Sequence, residues 1–141
     1  MPHATLIKFG YPETLLREGR HWALLVRPQQ PTLGSLVLCS TSDATAYGDL
    51  PVEAFVEQRE MIAFAEALLR DAVAFERINW LMLMMVDRHV HFHVVPRYSG
   101  TRSLAKMTMG DSGWPGMANL SHSEAATPEL ILELRGRANP S

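Results

Sequence analysis

Short, almost unbroken apolar runs alternate along the chain with polar stretches punctuated by glycine and proline, and one long amphipathic segment divides them. "RHWALLVRP" (20–28) and "GSLVLCS" (34–40) have the length and composition of strands. Between them lies "PQQPTL", whose two prolines forbid a regular ladder, so the pair reads as hairpin-like. Upstream, "ATLIKFG" (4–10) is a β-prone run ended by Gly10. "YPETLLREG" (11–19) suits one or two helical turns, with Pro12 near the start and Gly19 as the stop. From Pro51, a stripe of Phe55, Ile62, Leu69 and Val73, widened by Ala65, Leu68 and Ala72, predicts a helix over about 51–75. Glu57, Glu60, Glu66 and Arg70 form its polar side.

"INWLMLMMV" (78–86) and "HVHFHVVPR" (89–97) follow as two strands with only Asp87 and Arg88 between them, which predicts a tight antiparallel hairpin. Met82, Met84 and Met85 read as adaptable core filler against the helix. After Tyr98 the composition turns to Gly, Ser and Pro, and "MGDSGWPGMANLSHSE" suggests an extended tail anchored by Trp114. "TPELILELRGR" (127–137) carries a Thr-Pro-Glu helix start and a stop at Gly136. The expected organisation is one domain over 1–141, with a core of about 4–98 and a C-terminal extension over 99–141.

Composition narrows the class. A hydrophobic content of 47% with 20% charged residues describes a globular protein rather than a disordered one. A formal net charge of -2 gives no electrostatic reason to expect nucleic acid or a membrane surface as partner. Locally, Arg88, Arg97, Arg102 and Lys106 gather around and after the histidines, a positive field suited to an anionic ligand. Cys39 is the single cysteine, which excludes an internal disulfide and suggests a reducing compartment. No stretch approaches the ~20 apolar residues of a membrane span, and the N-terminus has no long apolar segment. A soluble, cytoplasmic protein is expected.

The candidate chemistry lies in "HVHFHVV". Side chains alternate faces along a strand, so His89, His91 and His93 share one face and Val90, Phe92 and Val94 the other. The apolar set marks the core face, which turns the histidines toward solvent or a cleft. Two readings stay open on spacing alone. Imidazoles two apart can meet at a metal ion such as zinc, with a third ligand from His93, His21, His122 or Asp87. Alternatively, a neutral imidazole attacks phosphorus while its neighbours hold phosphate oxygens or protonate the leaving group. A pKa near ~6.5 leaves both protonation states populated at neutral pH for such work. Arg97, just beyond the strand in "VVPR", offers a fork for phosphate oxygens.

At these residues the chain resembles the histidine triad (HIT) family, whose signature is three histidines alternating with apolar positions. All seven positions of "HVHFHVV" match, and the following "PR" is similar to that of the dinucleoside-polyphosphate hydrolase-like branch. "WALLVRPQQPTLGSLVLCS" looks like the strand, loop and strand that line the family's base and ribose pocket, so the resemblance spans about residues 20–98. It implies an α+β fold: a half-barrel of five antiparallel strands with one long helix and short flanking helices, paired as a homodimer. It also implies hydrolysis or transfer at the α-phosphate of a nucleotide or nucleotide conjugate. His91 would be the nucleophile, His89 would orient it, and His93 would contact phosphate and assist the leaving group. No cofactor or metal is required by that chemistry.

The chain departs from the family pattern at three places. The upstream Gly-His pair appears as Gly34-Ser35, which makes Ser35 a candidate for the substrate contact. The usual asparagine of the preceding strand corresponds to Val26. The longer loop before the triad is replaced by Met85-Val86-Asp87-Arg88, so Asp87 and Arg88 become candidate substitutes for its phosphate contacts. Asp87 equally suits a plain turn position, and Arg88 a solvated charge. Trp114 fits either a lid over a base or an anchor for its own loop. A nucleotide- or anion-binding module on the same fold, with little or no catalysis, is the alternative that these departures motivate.

Overall fold

The computed structural model describes residues 2–140. Its centre is a five-stranded antiparallel sheet in the order β1-β2-β4-β6-β5, built from β1 (Leu15–Glu18), β2 (Trp22–Val26), β4 (Leu36–Ser40), β5 (Arg77–Leu81) and β6 (His91–Arg97). The expected α+β architecture, with its five-stranded antiparallel sheet, is present. Every residue of β2 and of β4 is buried. That explains why these strands read as unbroken apolar runs: an antiparallel strand alternates only when one face meets water, and here both faces are covered.

One face carries the long helix α2 (Val52–Val73) and the C-terminal helix α3 (Pro128–Ala138) over a large cluster that includes Leu24, Leu36, Leu38, Phe92 and Val94. Trp22 is fully buried and donates its indole N–H to the Ala54 carbonyl at 2.7 Å, tying β2 to the first turn of the helix. Glu57, one turn on, accepts the backbone N–H groups of Arg20, His21 and Trp22 with its carboxylate. Gly19 leaves room for that carboxylate: a Cβ there would come within 2.4 Å of Glu57 Oε2 and displace it. The helix lies where its period predicted, and Ala65, Leu68, Leu69 and Val73 of the expected stripe are buried, but Phe55, Ile62 and Ala72 are not. Ala54, Gln58, Met61, Ala65, Leu68, Leu69 and Val73 face inward, while Phe55 is 38% exposed. Gln58 is tolerated there because its side-chain carbonyl accepts from the Tyr47 hydroxyl at 2.8 Å.

The opposite face is covered by the N-terminal segment. Residues 4–10, expected to be a strand, instead form the short helix α1 (Ala4–Lys8), capped by the His3 side chain accepting from the Leu6 N–H. Leu6 and Phe9 bury against Ala23, Leu25, Val37 and Cys39 in a second, smaller cluster. The apolar pair Leu6 and Phe9 is spaced three apart, and that helical spacing, combined with a sheet face needing cover, overrides the β-prone composition. The expected helical turn at 11–19 gives way to a turn followed by β1, whose pairing with β2 supplies hydrogen bonds that an isolated helical turn lacks.

Two further expectations are corrected. The tight hairpin is absent: β5 ends at Leu81, which pairs with His93, and residues 82–90 form a loop. Met82 and Met84 pack at the edge of the main core as core filler would, but Met85 and Val86 are each 84% exposed. Nor is the C-terminal extension a loose tail. It forms the hairpin β7 (Thr101–Leu104) and β8 (Met107–Gly110), then β9 (Glu124–Ala125) pairs with β3 (Gln29–Gln30) in the loop between β2 and β4. Leu104, Met109, Leu130 and Leu134 bury within the main core, and α3 runs past Gly136 to Ala138. No described helix is long and apolar enough to cross a membrane.

Candidate active site

His91 and His93 stand on β6 opposite Cys39 and Val37 of β4, on the face that α1 covers, and His89 precedes them. Phe92 and Val94 join the main core on the other face, as the alternation requires. Of the two expected surroundings, solvent or a cleft, solvent is excluded: His89, His91 and His93 are only 3%, 2% and 8% exposed, and His91 and His93 line a cleft. Burying three imidazoles is costly unless each has a partner, and each has one. Thr5 Oγ1 lies 2.8 Å from His89 Nδ1. His91 Nδ1 lies 2.7 Å from the His89 carbonyl oxygen. Arg27 Nε donates to His93 Nδ1 at 3.4 Å.

These contacts fix the tautomers. A carbonyl oxygen only accepts, so His91 carries its proton on Nδ1 and leaves the Nε2 lone pair free. Arginine only donates, so His93 accepts on Nδ1 and carries its proton on Nε2. Burial first, then the Arg27 charge, holds the His93 imidazole down to about 4. Burial, helped by nearby His3, also lowers His89. The shared population of charged and neutral forms expected from an ordinary imidazole therefore does not apply to His93, which is neutral at pH 7. Cys39, opposite His91, has its thiol pushed up to about 12, mainly by burial, and is no nucleophile.

Beside His91 and His93 opens a cleft of about 350 Å³, within the usual range for small-molecule sites. Its cationic groups are Lys8 of α1 and Arg27, the residue after β2. Its apolar walls are Phe9, the loop residues Leu83 to Val86, and Leu120 from the C-terminal extension. Phe9 stands 5.7 Å from the His91 ring and 5.9 Å from His93, between centroids. Outside the cleft, His3 stacks parallel on His89 with 3.7 Å between centroids, and its Nε2 reaches the Ser40 carbonyl at 2.7 Å.

Of the other candidate residues, only Asp87 lines the cleft, and its carboxylate is held by Lys8 Nζ at 2.8 Å. Arg97 is buried and engaged elsewhere: it pairs with Asp111 at 2.6 Å and donates to Asn79 Oδ1 and the Gly116 carbonyl. It fastens the extension to β6 rather than presenting a fork to the cleft. Ser35 is buried with its hydroxyl donating to the Thr32 carbonyl at 2.7 Å, outside the cleft. Arg88 is exposed and Trp114 half-buried, and neither lines the cleft. Arg102, counted in the positive field, instead donates to the Val73 and Ala74 carbonyls at the end of α2. The charge near the histidines comes from Lys8 and Arg27, which the sequence reading missed. Arg27 had a signal: residues 23, 25 and 27 share parity, and Ala23 and Leu25 pack on the histidine face. Lys8 had none while its segment read as a strand.

Among the described residues, no three His, Cys, Asp or Glu side chains converge as a metal site. His91 Nδ1 and His93 Nδ1 are already engaged.

No protein-family model matches the sequence, and no curated protein does. Solved structures do match. A histidine triad protein from Sinorhizobium meliloti superposes with a TM-score of 0.74 at 20% identity, over 98% of this chain and 93% of that one. A histidine triad protein from Marinobacter aquaeolei gives 0.69 at 19% identity, over 99% and 93%. The diadenosine triphosphate hydrolase of Plasmodium falciparum gives 0.58 at 15% identity, over 62% of this chain and 63% of that one. With the sheet order, the long helix and three alternating histidines on the second face, these superpositions show that the chain has the histidine triad fold.

Proposed function

We propose that the protein is a nucleotide hydrolase or nucleotidyl transferase in which His91 Nε2 attacks the α-phosphorus of a nucleotide conjugate. The observation that carries this reading is the 2.7 Å contact of His91 Nδ1 with the His89 carbonyl. It ties the proton to the far side of the ring and keeps the nucleophilic lone pair available without a separate general base. In the first step a bond forms between Nε2 and phosphorus, and the bond from phosphorus to the leaving oxygen or nitrogen breaks. The leaving group acquires its proton from solvent, while the neutral His93 Nε2–H donates a hydrogen bond to it. In the second step water attacks the same phosphorus, releases the nucleoside monophosphate, gives up a proton and restores His91.

His93 serves in this scheme as a neutral hydrogen-bond donor rather than a cationic acid, since its imidazole lies at about 4. Positive charge for the phosphate comes from Arg27 and Lys8. The groups named supply nucleophile, donor and charge, so the reading requires no metal. A homodimer belongs to the same reading, and the exposed apolar Val52, Phe55 and Val56 of α2 support it.

The test is intact-protein mass spectrometry after brief incubation with nucleoside phosphoramidates and dinucleoside polyphosphates, quenched without strong acid. A covalent nucleoside monophosphate adduct is expected on the wild-type chain and none on His91→Ala. Turnover by His91→Ala at the wild-type rate would overturn the mechanism. Tight binding with neither adduct nor product would leave a nucleotide-binding module instead.

A further inference from the structure

At the mouth of the cleft, Lys8 Nζ contacts both carboxylate oxygens of Asp87, at 2.8 and 2.9 Å. The two come from distant segments, α1 and the loop that leads into the triad, and both line the cleft beside His91 and His93. An acidic side chain in the wall of a site for an anion opposes binding unless its charge is answered. We propose that Asp87 holds Lys8 as a latch in the free protein, and that the phosphate of an incoming nucleotide takes Lys8 from it. This rests on the nucleotide-site reading above and assigns roles within that site: Lys8 is a phosphate-binding residue, and Asp87 competes with the substrate rather than contacting it.

The geometry separates the two cations of the cleft. Arg27 is fixed, because its guanidinium donates to both His93 Nδ1 and the Gln29 carbonyl. Lys8 has no hydrogen-bond partner other than Asp87 among the described residues, and its side chain is 51% exposed. An ammonium on a flexible four-carbon stem can change partner without moving the backbone, and the pair is open to solvent on its lysine side, with Lys8 51% and Asp87 15% exposed. The helix beneath it stays in place, since Leu6 and Phe9 are buried against the sheet and Thr5 meets His89.

Apparent affinity falls in proportion to the fraction of protein in the competent state. A latch closed in roughly four-fifths to nine-tenths of molecules therefore weakens anion binding by about five- to tenfold. The experiment is isothermal titration calorimetry of the full chain with AMP and with inorganic pyrophosphate, at pH 7 and constant ionic strength, with adenosine as the uncharged control. Asp87→Asn is expected to tighten the two anions by about five- to tenfold, Lys8→Gln to weaken both, and Lys8→Arg to restore binding. Adenosine affinity should stay unchanged in all three. Weakening by Asp87→Asn would overturn the latch, since the pair would then be a structural tie or Asp87 a direct contact. Tightening by Asp87→Asn with no effect of Lys8→Gln would also overturn it, leaving plain charge repulsion. If the wild-type chain binds neither anion, the nucleotide site itself fails, a result distinct from either pattern among the variants.

Discussion

The two faces of β6 are made from one strand, yet they solve different problems. On one face Phe92 and Val94 enter a large, mostly apolar cluster under α2 and α3, where they contribute shape and volume. On the other, His91 and His93 sit under a single short helix among a few apolar residues, and every ring nitrogen turned inward has a specified partner. Farther along that face Arg97 is buried with Asp111. The first face is held by area removed from water, the second by satisfied polar groups. The comparison teaches that this sheet is buried on both sides, and that burial alone does not mark its core.

Removing one partner of a buried ion pair should give the largest effect. Asp111→Ala leaves the Arg97 guanidinium facing only Asn79 Oδ1 and the Gly116 carbonyl, and is expected to cost about 3–5 kcal/mol in urea unfolding. A loss below about 1 kcal/mol would mean that the extension is held by α3 instead. Next, Leu69→Ala in the main cluster should cost about 2–5 kcal/mol, and Leu6→Ala in the small cluster should fall near the bottom of that range. Leu69 is enclosed on all sides, whereas α1 can settle toward the sheet after truncation. Equal losses would erase the distinction between the faces.

A smaller effect is expected from pH. The folded state holds His93 at about 4, against an ordinary 6.5, so folding favours its neutral form. That contribution is complete above pH 6.5 and is lost as pH falls toward about 4, because the unfolded chain takes up the proton first. The lowered His89 acts in the same direction. The loss from His93 is on the order of 2–3 kcal/mol. Urea midpoints measured from pH 7.5 to 4 should decline over that interval, and His93→Gln should flatten part of the decline. A flat wild-type profile would place the imidazole in water rather than beneath α1.

Much of this was legible in local pattern. Alternation along 89–95 assigned the histidines to one face and Phe92 and Val94 to the other, and the period from Pro51 located α2. Its inward face agrees at Ala65, Leu68, Leu69 and Val73 and differs in the first turns, because Ala54 and Gln58 carry little hydrophobic signal beside Phe55. The loop at 82–90 was hidden by methionines that look like strand interior whether they pack, as Met82 does, or face solvent, as Met85 does.

By itself the sequence determined the triad, its parity and the helix that packs behind it, because periods of two and 3.6 residues are local properties of the backbone. Only the tertiary structure decided what surrounds the histidines. Lys8 meets Asp87, Arg27 meets His93 and Thr5 meets His89 across separations that no local period encodes. Arg97, the residue whose sequence position spoke most plainly for phosphate, was taken by Asp111 from beyond the hairpin. A charge's role depends on which opposite charge the fold brings to it, and that partner comes from another part of the chain.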